Sequence, residues 1–415
     1  LHGVDRRQRQ MCIRDRVITM PTGQFSNDGN TVALFRFEDN VKNEGETITG
    51  TSSGVTYHSD SLPFATSDVG FVITVKTDNP GTSGPNQFTI PTTGGGYNYN
   101  VDCDNDGTND LVNQTGNATC TYSAPGTYQI EITGNFPRIY FAYGGDAPKL
   151  ISIDQWGNIA WQSMELAFAG CINLTTLSAT DVPNLSNVSD MSGMFVGTQF
   201  SSNPAMNLWD VSNVVDMSGM FNSAVNFNQN ISGWNTSSVQ DMSFMFLYAS
   251  SFNQPINTWN TSNVQYMDGM FFGASSFNQN LGSWDISNVT FMDFMLDNSG
   301  LSVSNYDATL AGWSSQSVNP NVTLGVLGLQ FCNSATQRAT LINAPNNWTI
   351  TGDTDACPPT ITNVTSTTAD GTYGVGSNIN IQIIFSEIVN VTGTPTLSLN
   401  SGGTATYSSG SGTNT

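Results

Sequence analysis

The sequence is short of basic residues. Eleven Lys and Arg stand against 32 Asp and Glu in 415 residues, a formal charge of −21, and only 10% of residues are charged. Phosphate backbones are bound through Lys/Arg clusters, so nucleic acid is excluded as a partner. Two histidines leave no basis for multi-His metal sites or for most His-based catalysis. No apolar run approaches the roughly 20 residues of a membrane helix. Gly-x-Ser-x-Gly, His-Glu-x-x-His and a Gly-rich phosphate loop are all missing, and so is Cys-x-x-Cys, which argues against zinc. What is present is core material: 38% hydrophobic residues, eight Trp and 23 Phe, too much for a disordered polyelectrolyte. The length alone suggests roughly three domains.

The few cations are unevenly placed. Arg6, Arg7, Arg9, Arg14 and Arg16 fall in the first 16 residues, with Asp5 and Asp15; without that stretch 30 acidic and six basic residues remain, a net −24. One reading is a basic arm. The other rests on Gln8-Arg9-Gln10-Met11-Cys12-Ile13-Arg14-Asp15-Arg16, which resembles translated sequencing-adaptor DNA at the ends of metagenomic assemblies. Residues 1–16 are therefore set aside as non-biological, as a fusion scar would be.

A repeat dominates the centre. Trp209, Trp234, Trp259 and Trp284 are spaced by 25 residues, and Val214/239/264/289, Met217/242/267/292 and Met220/245/270/295 keep the same register. Phe221, Phe246 and Phe271 follow, then Phe-Asn-Gln at 227–229, 252–254 and 277–279. One half of each unit, Val-x-x-Met-x-x-Met-Phe, places apolar residues at i, i+3, i+6 and i+7, the spacing of one face of a short helix or 3₁₀ turn, with Ser212 or Asp216 as its cap. The other half predicts a short extended segment. One unit cannot bury its apolar side alone, whereas stacked copies can, with a rise of about 4.8 Å if strands pair between them. The Met and Trp columns are expected to be core, and the columns Asn228/253/278 and Asn213/263/288 hydrogen-bond ladders, the second interrupted by Ser238.

The words Trp-Asp-Val-Ser-Asn-Val-Val-Asp-Met-Ser-Gly-Met-Phe (209–221) and Ala-Ser-Ser-Phe-Asn-Gln (274–279) resemble the BspA-type leucine-rich repeats of bacterial surface proteins. The likeness extends from about Ile151 to Cys357. Ser152–Trp161 is similar to the family's entry cap, and Tyr306–Trp313 through Asn347–Ile350 to its exit cap. Ser334 to Ala344 predicts a helix with Ser334 as N-cap. The resemblance implies a leucine-rich-repeat-like solenoid over 141–357, a short strand plus a short helix per repeat, in a secreted or surface-anchored, adhesin-like protein without catalytic residues.

All-β sandwich modules are expected on both sides. Alternation at Tyr97, Tyr99 and Val101 and at Tyr128, Ile130 and Ile132 predicts strands over 70–140, a stretch similar to a PKD-type sandwich. Thr31–Asp39, within 17–69, resembles the opening strand of a laminin-G-like jelly roll, too short for a whole domain. Residues 358–415 resemble a truncated bacterial Ig-like or cadherin-like sandwich, so the chain reads as open at both ends.

Two site predictions follow. In Asp102-Cys103-Asp104-Asn105-Asp106-Gly107-Thr108-Asn109-Asp110, carboxylates occupy loop positions 1, 3, 5 and 9, with Gly at 6 and the Thr108 carbonyl at 7, as in a calcium loop. Asn113 stands where an EF-hand has its bidentate Glu. Either Ca²⁺ binds here in a structural role, or the loop is an acidic turn that binds nothing. The second prediction is a ligand face of Gln229, Gln254, Gln279, Asn230, Asn257 and Asn280, polar and uncharged, suited to a glycan or a peptide backbone, or else merely solvated. Cysteine usage suits an oxidising compartment: Cys103 pairs with Cys120, Cys332 with Cys357, and Cys171 is left alone, buried among Phe168, Ile172 and Leu174.

The expected function is a non-catalytic extracellular or cell-surface protein of a bacterium, a binding array on spacer modules with a protein or glycan ligand. Two alternatives stay open: the accessory region of a larger secreted polysaccharide-degrading enzyme, and a purely structural stalk. No catalytic residue is assigned.

Overall fold

A computed structural model describes residues 10–13, 16–19, 69–399 and 402–413. The chain divides into two units, 1–64 and 65–415. In the first, β1 (Gln10–Ile13) and β2 (Arg16–Thr19) pair antiparallel, Gln10 opposite Thr19. The rest of the basic stretch and the Thr31–Asp39 segment lie outside the described residues.

The second unit opens with β3 (Phe71–Lys76), β4 (Gln87–Ile90), β5 (Asn98–Asp102), β6 (Leu111–Gln114), β7 (Ala118–Thr121), β8 (Thr127–Asn135), β9 (Leu150–Gln155) and β10 (Thr176–Leu177). Period-2 alternation forms them: Phe71, Ile73 and Val75 are fully buried, as are Tyr99, Val101, Ile130 and Ile132. Six of the strands make one sheet in the order β10-β9-β3-β8-β5-β6. The pair β4–β7 contributes Phe88, Ile90, Ala118 and Cys120 to the same core. The sheet does not stop at 140. β9 pairs antiparallel with β3, and β10 then adds in parallel to β9, which begins the parallel pairing carried through the repeats. Beside this sheet Lys149, 1% exposed, bonds to the carbonyls of Ser83, Gly84 and Gln87 and to the Ser83 hydroxyl, with the buried Asp146 carboxylate 3.7 Å away.

The expected leucine-rich-repeat-like solenoid, with a strand and a helix in each repeat, is overturned. The described residues are mostly strand, bridge and turn. They hold two α-helices, α1 (Val303–Ser314) and α2 (Ala335–Ile342), both outside the 25-residue repeats. The repeats touch through single parallel bridges, Asp190↔Asp216, Asp216↔Asp241, Asp241↔Tyr266 and Tyr266↔Phe291. The physical reason lies in the hydrogen bonds of Val-x-x-Met-x-x-Met-Phe. Met217, Gly219, Phe221 and Ser223 send their N–H groups to the next unit, onto the carbonyls of Asp241, Ser243, Met245 and Leu247 at 2.7–3.0 Å. Met220, Asn222 and Ala224, between them, close i→i−3 turns. Left-handed residues recur every fourth position, at Gly219 (φ 61°) and Ser223 (φ 59°), at Phe244 and Tyr248, and at Gly269 and Gly273. No helix survives such an interruption, yet the inward spacing i, i+3, i+6, i+7 is the same.

The inward columns are core. The tryptophan rings 209, 234, 259 and 284 stack at 6.3 Å per step. Within each unit the two phenylalanines stack at 3.9 Å, 221 on 227, 246 on 252 and 271 on 277. Met217, Met220 and their equivalents are fully buried.

Beyond the last repeat, Met292 bridges Leu324 in β11 (Thr323–Gly325). With β12 (Gln330–Phe331), β13 (Thr349–Thr351) and β14 (Thr354–Asp355), parallel pairs β11–β13 and β12–β14 close the array. Ser302 caps α1 by accepting from the Asn305 N–H. Ser334 stands at the N-cap of α2, but its hydroxyl donates to Asp307 and caps nothing. The last segment holds β15 (Ile361–Thr365) paired with β16 (Gln382–Phe385) and β17 (Thr396–Ser398) paired with β18 (Thr404–Thr406), and none of its described residues is buried.

Candidate functional site

The acidic loop leaves β5 at Asp102 and enters β6 at Leu111. A disulfide joins Cys103 to Cys120 of β7, and the Tyr122 hydroxyl donates to the Cys103 carbonyl at 2.7 Å, so the start of the loop is held against the second sheet. Asp102 is 2% exposed, and its carboxylate accepts the backbone N–H groups of Asp104, Asp106 and Gly107. The turn passes through Asn105 (φ 57°) and Gly107 (φ 91°), a geometry Gly adopts without strain. One carboxylate oxygen from each of Asp102, Asp104 and Asp106 lies within 4.8 Å of the others. Desolvation, and then the charges of Asp106, Asp110 and Asp102, raise the Asp104 carboxyl above the ordinary carboxylate range. Asp110 is not in this group, and its carboxylate accepts the Cys103 N–H at 2.8 Å; the Thr108 N–H donates to Asp106.

The amide residues expected to face a ligand make hydrogen bonds both between and within units. Gln254 donates to the Asn228 carbonyl and side chain, Gln279 does the same to Asn253, and Gln229, buried, donates to the Asn230 carbonyl. Asn230 and Asn280 accept the N–H two residues ahead, at Ser232 and Gly282. Asn257 is exposed, and its carbonyl accepts from Ser283. In the other Asn column, Asn213, Asn263 and Asn288 donate to carbonyls of the preceding unit. Ser238 closes the gap, because its hydroxyl reaches the Ser212 carbonyl at 2.6 Å. The indole of each of Trp234, Trp259 and Trp284 donates to a carbonyl 28 residues earlier, whereas that of Trp209, first in the column, has no partner.

A second disulfide joins Cys332 and Cys357. Cys171 is free and buried, and burial pushes its thiol up; Ile172 beside it is exposed, not part of its surroundings.

One face went unrecognised in the sequence. Outward residues of the turn segment form columns beside the bridges: Asp190, Asp216, Asp241, Tyr266, Phe291 in one, and Gly193, Gly219, Phe244, Gly269, Phe294 in another. Phe244, Tyr248, Tyr266, Phe291 and Phe294 are each 39–59% exposed. Tyr266 and Phe291 stack at 5.4 Å, and Tyr248 meets Phe272 edge-on at 5.3 Å. The rings of Phe244 and Tyr248 lie over Gly269 and Gly273 of the next unit, where an added Cβ would come within 2.6 Å of them. Asp268 and Asp293 stand beside the rings, joined by the Asp293 N–H donating to Asp268. The Asp-to-Tyr-to-Phe column looks like surface drift in the sequence. The signal in it is aromatic residues at outward positions of a unit whose inward positions are already filled.

Two overlapping stretches, 162–264 and 238–323, match a family described as Mycoplasma protein of unknown function, DUF285. No curated protein and no solved structure matches the chain. No helix among the described residues is long and apolar enough to cross a membrane.

Proposed function

We propose that this is a non-catalytic, secreted or cell-surface binding protein of a bacterium, with the repeats carrying the ligand and the β modules acting as spacers. The family match covers the repeats, in keeping with their likeness to BspA-type surface repeats. The observation that carries the reading is the division of each unit. Inward columns of Trp and Met are constant and buried, with Phe giving way only to Leu296, while outward positions of the turn segment change from unit to unit on a fixed backbone. A rigid scaffold with variable outward side chains is the usual construction of a binding surface. The full chain, passed over arrays of glycans and extracellular matrix proteins, should retain some ligand. A blank array would favour the stalk, and retention of plant or microbial polysaccharides alone would favour an accessory region of a hydrolase.

We also propose a structural Ca²⁺ at the acidic loop. The donor set fits: Asp102, Asp104 and Asp106 offer hard oxygens within reach of one ion, and the crowding that raises Asp104 is what a divalent cation relieves. The ion would rigidify the loop between β5 and β6. The melting midpoint should rise with calcium and fall with chelator; identical midpoints would remove the site.

A further inference from the structure

We propose that the turn face of the repeats, centred on Asp241, Tyr266, Asp268, Phe291 and Asp293, binds a cationic polypeptide segment through its arginine or lysine side chains. This rests on the surface-binding reading above and names the partner's chemistry.

The first support is the cost at which the aromatic residues are kept. Phe244, Tyr248 and Phe294 have φ of 56–59°, a left-handed backbone unfavourable for any residue with a Cβ. Sister units solve the same positions with Gly193, Gly219 and Gly269, or with Gly197 and Gly273. Large side chains at strained, exposed positions stabilise nothing in the core. Observed strain of this kind accompanies function, and clustered exposed aromatics mark interaction surfaces.

The second support is geometry. Tyr266 stacks one ring face on Phe291. The residue bridged to Tyr266 in the preceding unit is Asp241, whose carboxylate accepts the Ser243 N–H at 2.7 Å. A guanidinium or ammonium entering there meets a ring face and a carboxylate together, combining cation–π attraction with a charge-assisted hydrogen bond. Asp268 and Asp293 extend the acidic rim.

The third support is charge complementarity. From residue 150 to 337 the chain has no Lys, Arg or His, against 12 carboxylates. The face therefore has no counter-ion from its own repeats. Asp190, Asp216 and Asp241 follow one another on bridged units, about 4.8 Å per step. Burial, and then Asp241 and Asp190, hold the Asp216 carboxyl above its ordinary range; burial, then Asp293 and Asp241, do so for Asp268. A neutral glycan would stack on the rings but leave this charge uncompensated, whereas a basic peptide satisfies both.

The test uses the full chain, a labelled oligoarginine peptide and a neutral glucan as probes. Tyr266→Ser with Phe291→Ser leaves the charge unchanged and should weaken peptide binding about tenfold. Asp241→Asn with Asp268→Asn should weaken it more than Asp210→Asn with Asp285→Asn. The latter pair removes the same charge elsewhere, at positions where other units carry Asn235 and Asn260. Thermal melting checks that each variant folds. Peptide binding that survives loss of both rings, or that falls equally with either Asp pair, overturns the proposal as bulk electrostatics. Binding of the glucan alone through these rings also overturns it, while leaving the surface-binding function standing. An array ligand held elsewhere on the chain, with no response to the ring variants, separates the two in the same way.

Discussion

Lys149 is a cation in an apolar core, and its environment explains why it is tolerated. Three carbonyls, one hydroxyl and the Asp146 carboxylate surround it, while Asp146 also takes the Ser83 and Thr89 N–H groups. Removing one partner of a buried pair leaves the other charge uncompensated, so Lys149→Met should destabilise the fold by about 3–5 kcal/mol, read as a lower denaturation midpoint at unchanged slope. Ser238 teaches a different lesson at the same scale. In the sequence it interrupts an Asn column; in the structure its shorter side chain makes the equivalent inter-unit bond. A residue column reports identity, while the ladder requires only a donor at the right distance. Asp110 shows the converse. Its place in the acidic motif is legible, but the Cys103 N–H claims its carboxylate, a competition that spacing does not reveal.

At the level of the element, the turn segment shows where the sequence was readable and where it was not. Which residues face inward followed from the 25-residue period, because burial repeats with it. The local conformation did not, because a helix and this run of turns place apolar residues at the same intervals. Gly219 and Gly269 hint at the left-handed positions, but Ser223, Phe244, Tyr248 and Phe294 hide them. The bonds of the expected ligand-face amides were not legible for a related reason: Gln254 and Gln279 reach Asn228 and Asn253 one unit away, and polar groups in a repeat pair with neighbours. A prediction follows from the strained positions. Phe244→Gly relieves a left-handed backbone at an exposed site and should raise stability by about 1 kcal/mol, seen as a higher melting midpoint, even though it removes an aromatic contact surface. Gly269→Ala should act in the opposite direction, since its Cβ meets the Phe244 ring.

For the whole molecule, the acidity sets the response to pH. Asp104, Asp216 and Asp268 have folded-state pKa values above their ordinary ones. The folded chain then binds protons more readily than the unfolded one, so these groups add stability as pH falls through their folded pKa values. Asp285, held low by the Ser287 hydroxyl and N–H, does the reverse. So does Asp307, where burial is outweighed by the Ser334 hydroxyl and the N–H groups of Asn333, Cys332 and Ser334. Their contribution is lost below the ordinary carboxylate range. In chelator the melting midpoint should therefore hold or rise from neutrality to about pH 4–5 and fall at lower pH; a steady decline from pH 7 downward would contradict these environments. The core also runs without a break from Phe71 to Trp348, although the sequence invites a boundary at 140. The crossing strand β9 has little alternation to announce that its partner is β3, about 80 residues earlier.

The hydrogen bonds between units carry one more implication. Neighbouring units exchange N–H groups in both directions at constant offsets, Met217 to Asp241 forward and Gln240 to Val215 back, so the backbone interfaces are interchangeable. Loss of residues 234–258, one whole period, would bring Gly233 against Trp259 with the same partners on either side. A gene could lengthen or shorten this array by recombination between copies without redesigning the backbone contacts, and the reach of the protein would change in steps of about 4.8 Å while the outward face was recut with each exchange.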